Sequence, residues 1–372
     1  MRRYGIMLAA LALAGLAAAI LSGTIFMPQP ATSAGTGTGL VLQQKFPNHN
    51  TWVYTADFDE KDEFVASGGE DGLRVWRVDN AREVYHRTGR IFLARFLKGD
   101  NFLCADSNEG VLLLDAQTWQ VRKKFGQPAV TIVAAVSDAG DKIAASFSVV
   151  EVDQTKPPNS RTKPPLSFQI YVWQYIEKEW RESILRGHQG PVNAIAFHPD
   201  APHLVSSGED LTTRIWDLST SKQIDQIGEG SPLTFDHEVL EWHSACMFSA
   251  SGDRFVTNSG TYEYDKNDNS PIRKSTVKKV GGRCGMFSAD GRWIATGHKD
   301  GTLRLWDGKS FIERIVVKGS INGSPLNEVR FSPSGKLIVT TGMGIVPLFS
   351  AMEKKVKSND TVVRVWRVNV PE

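Results

Sequence analysis

Residues Arg186–Asp217 read RGHQGPVNAIAFHPDAPHLVSSGEDLTTRIWD, and the spacing within them decides the fold. Val192 to Phe197 is a short run of apolar and small residues that stops at His-Pro-Asp. Leu204 to Ser207 is a second run, Gly208-Glu209-Asp210 is a turn, and Thr213 to Trp216 is a third run ending in Ile-Trp. Short apolar runs separated by Gly, Pro and Asp are strands in an antiparallel meander. A helix would need apolar residues at three- and four-residue spacing over a longer window.

The same unit recurs on either side. A phenylalanine leading into turn residues stands at Phe58, Phe197, Phe248, Phe287 and Phe331, and a short apolar strand follows each, as in Trp293-Ile-Ala-Thr and Leu337-Ile-Val-Thr. A third strand then closes on Val75-Trp76, Val172-Trp173, Ile215-Trp216, Leu305-Trp306 or Val365-Trp366, so five of the ten tryptophans hold one position. Self-similarity of this kind identifies a repeat architecture. The motifs resemble the WD40 repeat: Gly187-His188 through Asp210 to Trp216-Asp217 carries both signatures, and Gly297-His298-Lys-Asp300 to Trp306-Asp307 and Glu70-Asp71-Gly to Trp76 are close matches. The resemblance covers almost all of residues 40–372. Repeats two, three and five depart from it, with Leu-Leu-Leu-Asp115, Trp173-Gln and Tyr-Glu-Tyr264-Asp265 at the Trp-Asp position.

First strands ending near Phe58, Phe96, Val136, Phe197, Phe248, Phe287 and Phe331 count seven repeats. The last stops at its third strand, Val362 to Val368, and Leu40 to Phe46 is left over before the first. Pairing the two removes both exposed edges. The expected architecture is therefore an all-β, seven-bladed WD40-type β-propeller closed by an N-terminal strand. Insertions at Val150–Leu166 and Ile345–Ser358 lie between second and third strands, and Gly228–Ser244 joins blades four and five. In an antiparallel blade these connections emerge at one end, so all three should decorate one face. The closing strand starts on the opposite face.

The chain of 372 residues carries 43 Lys plus Arg and 41 Asp plus Glu, and two of the basic residues are Arg2 and Arg3, so the remainder is balanced. A neutral body argues against nucleic acid as a partner. Three cysteines, Cys104, Cys246 and Cys284, are too few and too scattered for a disulfide framework or a CxxC metal or haem site. Cys246 and Cys284 sit at different offsets from equivalent Phe residues and should face different sides as separate thiols. After Arg3 no charge appears until Lys45, and Ile6 to Leu21 is continuously apolar or small. Residues 1–27 read as an N-terminal membrane anchor, residues 5–27 being long enough to span a bilayer, or alternatively as a signal cleaved near Ala34. Either way the body is exported, and Arg2-Arg3 stays inside. Residues 28–39 are a Pro/Gly/Ser/Thr linker, and residues 40–372 form the propeller.

His188, Asp210 and Trp216, with Ser206 or Ser207, have the composition of a hydrolase site. The resemblance instead implies a buried structural network, with Asp71, Asp300 and Asp360 in the matching turns and Trp76, Trp306 and Trp366 as matching core residues. Asp236, His237, Glu238, Glu241 and His243 form the densest ligand-like cluster, but the spacing of the two histidines is not that of a helical metal pair, and a polar loop is the simpler reading. Partner contacts are expected from Trp242, from Arg161 and Lys163 between Pro157-Pro158 and Pro164-Pro165, and from Leu348, Phe349, Met352 and Lys355, whose insertion would be amphipathic as a helix. No phosphate loop or nucleophile motif appears. No metal, cofactor or catalytic residue is assigned. The expected function is a non-enzymatic protein-interaction scaffold on the periplasmic side of a membrane, as an accessory subunit of a membrane protein complex. The alternative is an exported propeller binding a small ligand, or catalysing a reaction, at its central channel. On the channel-lining strands only Asp57, Arg95, Glu328 and Arg330 stand out as charged.

Overall fold

Seven antiparallel sheets form the ring, six of four strands and one, in blade three, with a short fifth strand. The computed structural model describes residues 39–370, except 48, 98–100, 107–108, 127–129, 151–165, 229–245, 258–259, 269–270, 275–279, 281, 321–322 and 343–359. After β1 (Gly39–Phe46), blade one is β2–β5 (Val53–Phe58, Phe64–Gly69, Gly72–Arg77, Glu83–Arg87) and blade two β6–β9 (Ile91–Leu97, Asn101–Asp106, Gly110–Asp115, Val121–Phe125). Blade three is β10–β14 (Val130–Val136, Lys142–Val150, Leu166–Ser167, Ile170–Ile176, Glu179–Leu185) and blade four β15–β18 (Val192–Phe197, His203–Gly208, Thr213–Asp217, Lys222–Ile227). Blade five is β19–β22 (Cys246–Phe248, Arg254–Thr257, Gly260–Tyr264, Ile272–Lys274) and blade six β23–β26 (Cys284–Phe287, Trp293–Gly297, Thr302–Asp307, Glu313–Lys318). Blade seven is β27–β29 (Leu326–Phe331, Leu337–Gly342, Val363–Asn369) with β1 as its outer strand.

Closure by the N-terminal strand is as expected. β1 runs antiparallel to β29, from Gly39 opposite Asn369 to Phe46 opposite Val363. The strand begins at Gly39, the residue assigned to the end of the linker. The insertion of blade three also starts further out than its sequence bounds, because Val149 and Val150 pair with Ser167 and Leu166 and lengthen the hairpin beneath it. The leader and most of the linker lie outside the described residues. Among the described residues, no helix is long and apolar enough to cross a membrane.

The core is divided. Seven clusters of buried apolar side chains lie one in each seam between consecutive blades. The repeated third-strand residue always fills the seam with the preceding blade: Trp76 between blades seven and one, Trp173 between two and three, Trp216 between three and four, Trp306 between five and six, Trp366 between six and seven. Leu114 takes that place in blade two, where the smaller side chain is supplemented by Trp119, stacked on Tyr85 with ring centroids 4.4 Å apart. In blade five the residue in register is Tyr262, opposite Phe255 as Trp366 is opposite Ile338. This corrects the assignment of Tyr264, which lies two residues on and donates to or accepts from Nδ1 of His203 in blade four at 2.7 Å.

The aspartate after the Trp position caps the next turn. Asp115 accepts the N–H groups of Gln117 and Thr118, Asp217 that of Ser219, and Asp307 those of Lys309 and Ser310. The turn between the third and fourth strands of blade three is tighter. Glu177 and Lys178 both have left-handed backbones, φ 54° and 67°, between Ile176 and Glu179, which pair directly. Non-glycine residues are disfavoured there, and Asn-Gly suits such a two-residue hairpin. Glu177→Asn with Lys178→Gly is expected to stabilise the chain by about 1 kcal/mol, read as a higher melting temperature.

Candidate functional site

The hydrolase-like constellation is part of the core. Nδ1 of His188 lies 2.9 Å from Asp210 and its Nε2 lies 2.8 Å from Ser206 Oγ, which also accepts the Trp216 indole N–H at 2.8 Å. Ser206 is fully buried and Asp210 is 1% exposed, so no substrate reaches either. Burial alone would raise the Asp210 carboxyl, but hydrogen bonds from His188, the Gln189 N–H and Thr212 outweigh it and hold it at about 2. Ser206, rather than Ser207, is the fourth member.

Blade one repeats the network through a residue that motif reading missed. His49 lies 2.6 Å from Asp71 and 2.8 Å from Ser67 Oγ, and Trp76 donates to Ser67 at 2.9 Å. His49 stands 22 residues before Asp71 and 18 before Ser67, the same separations that relate His188 to Asp210 and Ser206. That spacing was the available signal; the Gly-His dipeptide is absent there. The other blades vary the theme. Thr296 takes the Trp306 indole N–H and bonds His298, whereas Asp300 is half exposed and caps Thr302. Thr340 takes the Trp366 indole N–H, while buried Asp360 accepts both ends of the Arg364 guanidinium at 2.9 Å. In blade three Ala145 offers no hydroxyl, and the Trp173 indole turns to Glu182 at 2.7 Å.

The four charged channel residues are not scattered. Arg95 of blade two donates to Glu328 of blade seven at 2.8 Å and to Thr55 of blade one at 2.6 Å, and Arg330 of blade seven donates to Asp57 of blade one at 2.8 Å. Both Asp57 oxygens are engaged, the second by the Phe96 N–H. Burial would lower the Arg330 pKa, but Asp57 and Glu328 raise it above its usual range. Asp57, Arg95 and Arg330 line a cavity of about 500 Å³ together with Ala135, Ile195, Ala196, Met247 and Met286. Charges paired in this way brace three blades. Cys246 and Cys284 are free and belong to different seams, as their offsets imply. Burial raises both thiols, Cys246 to about 12, which leaves them unreactive. Among the described residues, no three His, Cys, Asp or Glu side chains converge to hold a metal.

A partly exposed aromatic and arginine group lies at the end of the blades where the first strands begin. In blades one, two, three, four and seven the first strand is bulged near its start, at Val53/Thr55, Ile91/Leu93, Thr131/Val133, Val192/Ala194 and Leu326/Glu328. A bulge re-aims the extra side chain. In blades four and seven that residue is an asparagine, and it is spent on the fold: Asn193 donates to Glu209 and Asn327 to the Val53 carbonyl. In blades one and two it is aromatic. Tyr54 stacks on Phe92 with centroids 5.1 Å apart, Trp52 meets Tyr54 edge-on at 6.4 Å, and the Arg90 guanidinium lies 6.0 Å from the Phe92 ring. Glu70 ties the group together, accepting from the Tyr54 hydroxyl and from Arg90 Nε at 2.6 Å. Burial and the Glu70 carboxylate raise the Tyr54 phenol, which stays protonated as a donor. The three rings are half buried and Arg90 is 46% exposed. Partly exposed Trp, Tyr and Arg on a rigid support form the composition that dominates protein interfaces.

This rim was not singled out from sequence, although Trp52-x-Tyr54 and Arg90-x-Phe92 share the position where blades four and seven carry Asn. The expected partner residues Arg161, Lys163, Trp242, Leu348, Phe349, Met352 and Lys355, and the cluster from Asp236 to His243, lie outside the described residues.

Residues 40–77, 180–217 and 274–307 match the family model for the WD domain, G-beta repeat. Each match runs from the outer strand of one blade into the next, and each contains one of the three networks that include a histidine. The chain is 23% identical over 304 residues to periodic tryptophan protein 2 homolog of Dictyostelium discoideum, covering 79% of this chain and 27% of that protein. It is 22% identical over 322 residues to apoptotic protease-activating factor 1 of Danio rerio, covering 83% and 22%. It is 28% identical over 153 residues to small ribosomal subunit protein RACK1y of Oryza sativa subsp. japonica, covering 38% and 42%. The chain thus spans about a quarter of the length of the first two. Motifs, register and comparisons converge on one statement: the chain carries WD40 repeats, folded as a seven-bladed β-propeller.

Proposed function

We propose that this protein is a non-enzymatic interaction scaffold, held at the outer side of a membrane by residues 5–27 as an accessory subunit of a membrane protein complex. The carrying observation is the aromatic and arginine rim of blades one and two. It shares a face with the three insertions, while β1 enters the ring on the other face. The buried networks and the paired channel charges are accounted for by the fold, which favours the scaffold over chemistry in the channel. Similarity to proteins whose names place one in a ribosomal subunit supports an assembly role in general terms. The membrane component rests on the apolar leader.

Two measurements test the two components separately. Mass analysis of the native N-terminal peptide from gently solubilised membranes should find Met1 or an Ile6-containing peptide. A chain starting near Gly35 in the soluble fraction would remove the anchor and leave the scaffold. For the rim, Trp52→Ala with Arg90→Ala is expected to weaken a co-purifying partner by at least tenfold, at about 1–2 kcal/mol per residue, with little change in melting temperature. Unchanged partner recovery from that variant would move the interface off the rim.

A further inference from the structure

The seam between blades four and five carries two histidines, His198 and His203. One of the two imidazoles bonds to both blades. His198, in the turn after the first strand of blade four, is 4% exposed. Its Nδ1 accepts the backbone N–H groups of Asp200 at 3.0 Å and Ala201 at 2.8 Å, and its Nε2 donates across the seam to the Gly252 carbonyl at 3.1 Å. The ring packs against Phe248 and Tyr264 of blade five, with centroids 4.9 and 5.2 Å away. Gly252 permits the approach: a Cβ there would stand 2.4 Å from the imidazole. A second histidine, His203, bonds the Tyr264 hydroxyl at 2.7 Å and lies 6.3 Å from His198, centroid to centroid.

These bonds fix the tautomer. A carbonyl can only accept, so Nε2 carries the proton; two N–H groups can only donate, so Nδ1 carries none. Protonating Nδ1 sets a third hydrogen against those two donors and makes the ring a buried cation beside another histidine. We propose that the blade four–five seam is an acid-opened joint, in which protonation of His198 ejects its ring from the turn, breaks the link to Gly252 and frees blade five.

The charged neighbours set the direction. On blade four these are Asp200, His203 and Asp217; across the seam they are Asp253, Arg254, Glu263, Asp265 and Lys266, around a cleft of about 650 Å³, with Asp225 near Tyr264. Burial, then the proximity of His203 and Lys266, depress His198 from 6.5 to about 4, against the pull of the Gly252 carbonyl and of Asp200. A group with a depressed pKa when closed and an ordinary one when open favours closure fully above about 6.5. That advantage is lost as pH falls toward about 4.

Hydrogen exchange of the full chain at pH 7, 5.5 and 4.5, corrected for intrinsic rates, is the test. Amides of residues 246–257 and 260–264 should lose protection by about tenfold or more at pH 4.5, while blades one and seven stay protected. His198→Gln keeps a donor for Gly252 without a titrating ring, and should remove most of the acid dependence. If that variant does not fold, the imidazole titration of His198 in the unaltered chain decides, since its midpoint must lie well below 6.5, near the pH at which the loss of protection levels off. Uniform loss over seven blades, loss centred on His298 in blade six, unchanged protection at pH 4.5, or unaltered acid lability in the Gln variant would each overturn the joint.

Discussion

A chain beginning at Asn48 should fail to fold as a stable monomer, whereas one beginning at Gly39 should melt like the full-length protein. The shorter chain lacks β1, and with it seven paired positions against β29. It also loses the buried side chains of Leu40 and Phe46, which belong to the seams on either side of blade seven. Those two side chains contribute about 1.5–3 kcal/mol each, before the lost ladder is counted. Against a total stability of about 5–15 kcal/mol, their removal takes most of the margin. The uncovered edge of β29 would also pair with other molecules. Thermal melting and size-exclusion chromatography of both truncations check this, and a peptide spanning residues 39–46 should restore monomeric folding when added. A chain lacking β1 that stayed monomeric and melted within about 3 °C of the longer one would show that the ring closes by other contacts.

The second large effect separates two aspartates that look alike in sequence. Asp210→Ala should cost about 3–5 kcal/mol, because it leaves His188, the Gln189 N–H and both Thr212 donors without their acceptor in a buried site. Asp300→Ala should cost about 1 kcal/mol or less, since that side chain is 53% exposed and water can replace it. Denaturant titration of both variants reads the difference as a shift in midpoint. Equal losses would mean that the buried network of blade four adds nothing beyond capping its turn.

The ring itself was readable because its tryptophans are. A residue that must plug a seam in every blade leaves a fixed chemical mark, and the seven first strands and the closing strand followed from it with errors of about one residue. Dipeptide matching failed where the mark had drifted. Tyr264-Asp265 imitates Trp-Asp, yet the strand register puts Tyr262 in the seam. His49 lacks the preceding glycine but keeps the spacing. The rim stayed hidden for another reason: Trp52 and Tyr54 look like ordinary strand alternation, and only the bulge at Val53/Thr55 turns Tyr54 toward the face. Arg95 and Glu328 are 233 residues apart, so nothing short of ring closure reveals them as a pair.

Pairing Gly39 with Asn369 has a consequence for how the molecule comes apart. A linear stack of repeats has two outermost units, each holding a neighbour on one side only, and it frays from them. Here the first and last segments of the ring share one sheet, so every unit is gripped on both sides and none is outermost. Unravelling therefore has no privileged starting point set by chain order. It must begin wherever a grip is locally weakest, and losing that grip turns the circle into an open stack with two ends, each of which can then fray.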